Sequence, residues 1–579
     1  MHVNGSGRIT VAGPHHDAVI DWCVSGSAVL TINEDPTNLK GWGMGTFLKW
    51  GFAVQFVLGA FLTASAQTPR CPLRPDPGSV VLDAPSLNSQ NGALSVDLTM
   101  RNAIDPLNFM HYCFDYMSSS GLIEAPTLRV NPGDTLTINF TNDLVTTASS
   151  RLANERHAPV HMHGMADAPG TDPCNSKVIT PNTSNIHFHG LNVPPVCHQD
   201  DVVNTLVQPS KTPFQYQIQI PANEPPGLYW YHPHPHGFTG LQVSGGAAGA
   251  IVVSGIEKIK PQVAGLTERI FFIRQQIPVN GTDEIGSQLT LNFQTAIYPK
   301  ADAPIIRMKP GEKQFWRIAN ATNTSFLSLQ VLFGGVAQSL ELISLDGVPI
   351  TGDRSVTQLD MPPAGRAEVI ITGPPSGTPA TFIHKGFDTG ATGDPSPEQM
   401  LAKIVTNANA AEQPATAATA AVPRRPVTPR FSGLTAIKPS TTRKLFFSES
   451  ALGTAGPVNF FLALDGQIPH LFTMDEPPAI KTKVGAVEDW TFENRTPEQH
   501  AFHMHQIHFL VTAINGVAVP NPTMQDTVII PHWTGKGPYP SVTVRMDFRD
   551  PEIAGTFVYH CHILDHEDGG MMQKIEVDP

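Results

Sequence analysis

The chain has 579 residues, too many for one hydrophobic core, so two to four domains are expected. Only 15% of residues are charged, while proline (53) and glycine (48) are abundant, which excludes an architecture of long amphipathic helices. A formal net charge of −13, with no basic stripe, excludes nucleic acid as a partner.

Short runs rich in Val, Ile, Thr and Phe, bounded by Pro, Gly, Asn and Asp, predict an all-β fold with many turns. The first recognisable segment is 44–66, which reads as an export signal. Met44 opens a weakly positive stretch, an apolar run GFAVQFVLGAFL follows, and Ala64-Ser65-Ala66 supplies a small-residue cleavage site. The apolar run is too short to span a bilayer comfortably; a buried strand or a membrane anchor is the competing reading. Residues 1–43 then read as an upstream extension from a start assigned too early. No Arg-Arg pair precedes the apolar run, so a general secretory route and a periplasmic or secreted location are expected.

Beyond the signal lie Cys71, Cys113, Cys174, Cys197 and Cys561. If Cys561 is a ligand, the other four allow two disulfides in three connectivities; proximity in the sequence favours Cys71–Cys113 and Cys174–Cys197.

A degenerate unit occurs three times: LRVNPGDTLTINFTN at 128–142, IRMKPGEKQFWRIAN at 306–320 and IKTKVGAVEDWTFEN at 480–494. Each reads as a strand, a tight turn at Gly133, Gly311 or Gly485, and a second strand ending in Asn. The long, near-equal spacing predicts tandem domains. The expected divisions are 67–256, 257–405 and 441–579. Residues 406–440 are rich in Ala, Pro and Thr and read as a linker.

Four histidine clusters carry the chemistry. In NIHFHGLNVPP, His187 and His189 share one face of a strand, as His232 and His234 do in GLYWYHPHPHG. In HAFHMHQIHF, His503 and His505 share a face and His500 takes the other. In YHCHILDHEDGGMM, His560 and His562 share a face and Cys561 opposes them. Parity thus gathers eight histidines (187, 189, 232, 234, 503, 505, 560 and 562) on one side. His500 and Cys561 fall on the other, with His566 and Met571 nearby. Two imidazoles, a thiolate and a thioether suit a trigonal copper electron-transfer site; eight imidazoles without carboxylates suit a copper cluster that binds dioxygen.

Together these motifs resemble the multicopper oxidases of the bacterial three-domain, laccase-like kind, over roughly residues 80–579. The resemblance implies three tandem cupredoxin-like Greek-key domains and four copper ions. It places His500, Cys561, His566 and Met571 at a type 1 copper, and His187 and His503 at type 2. His189, His232, His234, His505, His560 and His562 then hold the type 3 pair. It further implies one-electron oxidation of a phenolic, aromatic or metal-ion donor, coupled to reduction of O2 to water, in a monomer. Similar enzymes carry acidic residues that serve proton transfer. Glu567 matches one such position, and Asp200 or Asp201 the other, in a loop about two residues longer than usual. For each, proton relay and ligand orientation both remain open.

A second H-x-H-G at His161–Gly164 lies in a Pro/Gly-rich stretch and is read as part of an insertion; an auxiliary copper site from His157, His161, His163 and Met165 is the alternative. His236 and His508 are read as bystanders, and Tyr229, Trp230 and Tyr231 as packing around the ligands. Two rival functions compete with this one. A copper nitrite reductase lacks the paired histidines around Cys561. A non-enzymatic copper-binding or assembly protein on the same fold has lost ligands. No methionine-rich segment appears between 320 and 480, which tilts the donor toward organic molecules.

Overall fold

The structure, a computed structural model, describes residues 6–12, 17–23, 28–31, 71–104, 110–146, 172–276, 288–295, 303–406, 428–451 and 458–579. The segment read as an export signal, most of the linker, and His157, His161, His163 and Met165 lie outside the described residues. The chain divides into Met1–Thr68 and Pro69–Pro579. In the first unit Ser6–Ala12, Asp17–Cys23 and Ala28–Thr31 form an antiparallel meander.

The second unit consists almost wholly of strands, paired into sheets drawn from three consecutive stretches of chain. Strands between Ser86 and Val253 form two five-stranded sheets; strands between Thr267 and Thr406 form a seven- and a six-stranded sheet; strands between Thr441 and Asp578 form a seven- and a five-stranded sheet. Each pair encloses its own apolar core, centred on residues such as Phe140 and Ile138, Trp316 and Val369, and Trp490 and Phe502. These are three cupredoxin-like sandwiches.

The threefold sequence unit has a definite place in each sandwich. Its two strands are Thr127–Val130 and Thr135–Asn142, Ile305–Met308 and Lys313–Ala321, or Ile480–Lys483 and Ala486–Asn494. They belong to different sheets, so the unit is the corner where the chain crosses the core. The turn glycines have φ of 80°, 69° and 92°, a left-handed backbone that other residues adopt at a cost. The terminal asparagines are buried and close the next turn: Oδ1 of Asn142, Asn320 and Asn494 accepts the N–H two residues on. Their amides donate to carbonyls of neighbouring loops, satisfying backbone that would otherwise be stranded in the interior.

Two disulfides are present, Cys71–Cys113 and Cys174–Cys197, with Cα atoms 5.9 and 5.6 Å apart. These are the pairs that sequence proximity favours. The described part of the stretch read as a linker, 428–440, is packed rather than free. Leu434 is buried against Val487 and Leu510, and Arg430 pairs with Asp550. Ala and Pro dominate its composition, but one leucine and one arginine suffice to anchor it. Among the described residues no helix is long and apolar enough to cross a membrane.

Candidate metal centre

Strand register brings the histidines together. In the first sandwich His187–His189 pairs antiparallel with Gly227–His232, placing His187 opposite His232. In the third, His500–Met504 pairs with Gly555–Cys561, placing His503 opposite His560 and Phe502 opposite Cys561. The two histidine-bearing faces meet. The His187 ring stacks on His505 at 3.8 Å, and His189 stacks on His503 at 4.0 Å. All eight histidines predicted to converge do so, and all are buried.

Among the described residues their ring nitrogens form groups able to hold a metal ion, among them His187, His189 and His503; His189, His232 and His562; and His234, His505 and His560. Nδ1 of His232, His503 and His560 faces the backbone oxygens of Pro233, Asp526 and Cys561 at 2.8–2.9 Å. A proton held there leaves Nε2 bare. The Nε2 atoms of His234 and His505 lie 3.3 and 3.2 Å from that of His560. Three nitrogens pointing at one another, with His560 Nε2 lacking a proton, are arranged for a cation. Buried nitrogens without a hydrogen-bond partner also occur on His187, His189, His232, His503, His505 and His562. Satisfied cores rarely leave so many. Burial, reinforced by the neighbouring imidazoles, holds these histidines well below their usual range, so they are neutral and their lone pairs are free. The donor set fits copper.

On the opposite face of the same strands lies the second set. Cys561 Sγ is 3.6 Å from His500 Nδ1 and 3.9 Å from His566 Nδ1. The far nitrogens of these rings face acceptors: His500 Nε2 is 2.9 Å from Thr496 Oγ1 and His566 Nε2 is 3.5 Å from Glu498. Met571 is buried in the same core, and its backbone oxygen accepts from Cys561 N–H at 3.0 Å. Burial opposes ionisation of the Cys561 thiol, but His500 and His566 outweigh it and bring it down to about 6.

The acidic candidates separate clearly. Asp200 Oδ1 and Oδ2 are each 3.0 Å from His187 Nδ1; Phe188 N–H and Gln506 Nε2 also donate to this carboxylate, at 2.9 and 2.5 Å. These are the contacts of a group that orients His187. Asp201 is bound instead to Asn204, through its backbone N–H and its amide at about 3 Å. Glu567 is fully buried, with Oε1 3.8 Å from His234 Nδ1 and 3.4 Å from Thr239 Oγ1. Burial, with the charge of Asp568 added, pushes its carboxyl well above the usual range.

His236 packs against Phe472, outside those three groups. His508 faces Asp346 O at 2.8 Å, away from the cluster. Trp230 stacks on His232 at 4.2 Å, while Tyr229 and Tyr231 donate to the backbone oxygens of Pro225 and Pro126. Sequence reasoning missed Asp526, Arg366, Asp346, Thr496, Glu498 and Gln506. None shares a metal-ligand spacing, and Arg366 and Asp346 come from the sandwich that supplies no histidine to the cluster.

Three profiles of the multicopper oxidase family match this chain, over residues 173–258, 230–390 and 455–579. A multicopper oxidase of Staphylococcus epidermidis is 22% identical over 476 residues, covering 79% of this chain and 83% of the relative. A laccase of Bacillus subtilis is 22% identical over 501 residues, covering 79% and 90%. A structure described as a multicopper oxidase from Campylobacter jejuni, a metallo-oxidase, superposes with a TM-score of 0.62 at 21% identity, covering 89% of this chain and 99% of that one. The motifs, the convergence of their residues and these matches lead to one conclusion: the chain belongs to the multicopper oxidase family.

Proposed function

We propose that the protein is a laccase-like oxidase that takes single electrons from a donor and uses four of them to reduce O2 to water. One observation carries the reading: a single strand presents Cys561 to His500 and His566 on one face and His560 to the eight-histidine cluster on the other. Bound copper, four ions in all, would supply the one-electron steps at the cysteine site and the oxygen chemistry at the cluster.

The chain's own residues divide the remaining work. His500, Cys561, His566 and Met571 hold the electron-accepting site. The Cys561 backbone is the covalent path to His560 and His562. Its His566 side chain is 7% exposed and that of His500 is 0%, so a donor meets His566 first. Glu498, 3.5 Å from His566, and Glu449, 3.6 Å from His500, set negative charge there. That favours cationic donors, low-valent metal ions or protonated aromatic amines, alongside neutral phenols. Glu567 holds a proton beside His234 and can release it toward the cluster. Asp200 fixes the His187 ring. The two disulfides support export to an oxidising compartment, periplasmic or extracellular.

The test is oxygen uptake by copper-loaded protein with a phenol, an aromatic amine, a bulky dye and cuprous ion. The reading expects four one-electron donors consumed per O2, without accumulation of peroxide. Blue protein that consumes no oxygen with any of them would instead indicate a copper-binding protein without oxidase activity.

A further inference from the structure

We propose that Arg366, from the sandwich that contributes no histidine to the cluster, is a positioning residue. With Asp526 it forms a buried clamp that sets the ring orientation and tautomer of His189 and His503, one histidine from each of the other two sandwiches. The inference rests on the copper-oxidase reading above.

The clamp is built from two residues with side chains wholly buried. Arg366 Nη1 donates to Asp526 Oδ1 at 2.7 Å, and Nη2 donates to Oδ2, a fork that fixes the carboxylate plane. Arg366 is itself held: Nη1 donates to Ala364 O at 3.0 Å, and its backbone N–H donates to Asp346 Oδ1 at 2.8 Å. The other oxygen of Asp346 accepts the backbone N–H groups of Asp526 and Thr527, at 3.2 and 3.3 Å. Asp526 is thus anchored at side chain and backbone, both times by the middle sandwich.

Asp526 in turn addresses two imidazoles. Its Oδ1 lies 3.3 Å from His189 Nε2, and its backbone oxygen accepts from His503 Nδ1 at 2.8 Å. Each contact occupies one ring nitrogen. The nitrogens left over, His189 Nδ1 and His503 Nε2, are buried and have no partner. His189 and His503 belong to one metal-holding group, and their rings stack at 4.0 Å. His508, otherwise unexplained, extends the same junction: its Nε2 faces Asp346 O and lies 3.5 Å from Asp526 Oδ2, with Asn192 on its other side.

A buried ion pair is a poor way to glue domains, because apolar packing of the same volume stabilises as well or better. What the pair supplies, and apolar packing cannot, is a fixed acceptor for an imidazole N–H. Metal ligands depend on such partners, whose loss typically weakens metal affinity about 10- to 100-fold.

The test uses copper-loaded full-length R366K and D526N. R366K keeps the charge but loses the fork; D526N keeps the shape and the backbone acceptor but loses the charge. Both are expected to retain the blue absorption of the Cys561 site and a cooperative thermal transition. Both are expected to release the non-blue copper to a chelator about 10- to 100-fold more readily, with an altered electron paramagnetic resonance signal from that copper. Unchanged release and an unchanged signal in both variants would overturn the clamp. So would equal loss of the blue and non-blue copper together with the thermal transition, which would mark the pair as a fastener for the whole fold. Wild-type protein that takes up no copper at all would instead remove the oxidase reading on which the clamp depends.

Discussion

Gly190 has a φ of +87°, and a Cβ there would lie 2.5 Å from Arg366 Nη2 and 2.7 Å from Asp526 Oδ2. The glycine of the first histidine motif is therefore required twice, by its backbone and by the space a neighbouring guanidinium fills. Gly190→Ala is expected to destabilise copper-free protein by about 1–3 kcal/mol, from left-handed strain alone. Chemical unfolding checks this, and a loss below about 0.5 kcal/mol would contradict it. The motif was legible in the sequence, but its reason was not, because Arg366 and Asp526 lie far away along the chain. The acidic residues show the same limit. Asp200 and Asp201 are adjacent on a loop with no periodicity to sort them, and only the fold puts Asp200 against His187 and Asp201 against Asn204.

Among the elements, strand parity carried the most information. Side chains alternate across a strand, so His560 and Cys561, the last two residues of Gly555–Cys561, take opposite faces, and His562, just past the strand's end, rejoins His560 with ring centroids 5.3 Å apart. The register His503 to His560 and His187 to His232 then builds the histidine face of the third and of the first sandwich. Loops resisted that reasoning. Glu224, in the turn before Gly227–His232, is buried with Oε1 accepting from the Asn192 amide at 2.8 Å. Burial pushes its carboxyl up to about 7 from 4.5, against the pull of Arg430. The folded protein therefore holds a proton that the unfolded chain has released between pH 4.5 and 7, so this group's contribution to stability is present below 4.5 and lost as pH rises through 7. Glu224→Gln is expected to remove that loss: relative to the variant, wild-type stability falls across this window. Parallel pH profiles of unfolding for the two proteins would contradict the assignment.

For the whole molecule, the cluster exists only where the first and third sandwiches meet, with the middle one reaching in through Arg366. The threefold unit revealed the number of sandwiches because its glycines and terminal asparagines serve one purpose in each: they turn the chain from one sheet to the other. The acceptors that orient the histidine rings were not legible, since they arise from contacts between sandwiches rather than from any local pattern. In the proposed function the coupling between the two sites runs through one residue, Cys561, whose neighbour His560 lies at the cluster and whose sulfur faces His500 and His566. The most direct test of this account is Cys561→Ser, examined by visible absorption and oxygen uptake. The account predicts loss of the blue absorption and of donor oxidation together, with copper still bound by the histidine cluster. Donor-dependent oxygen reduction that survives in this variant would contradict it.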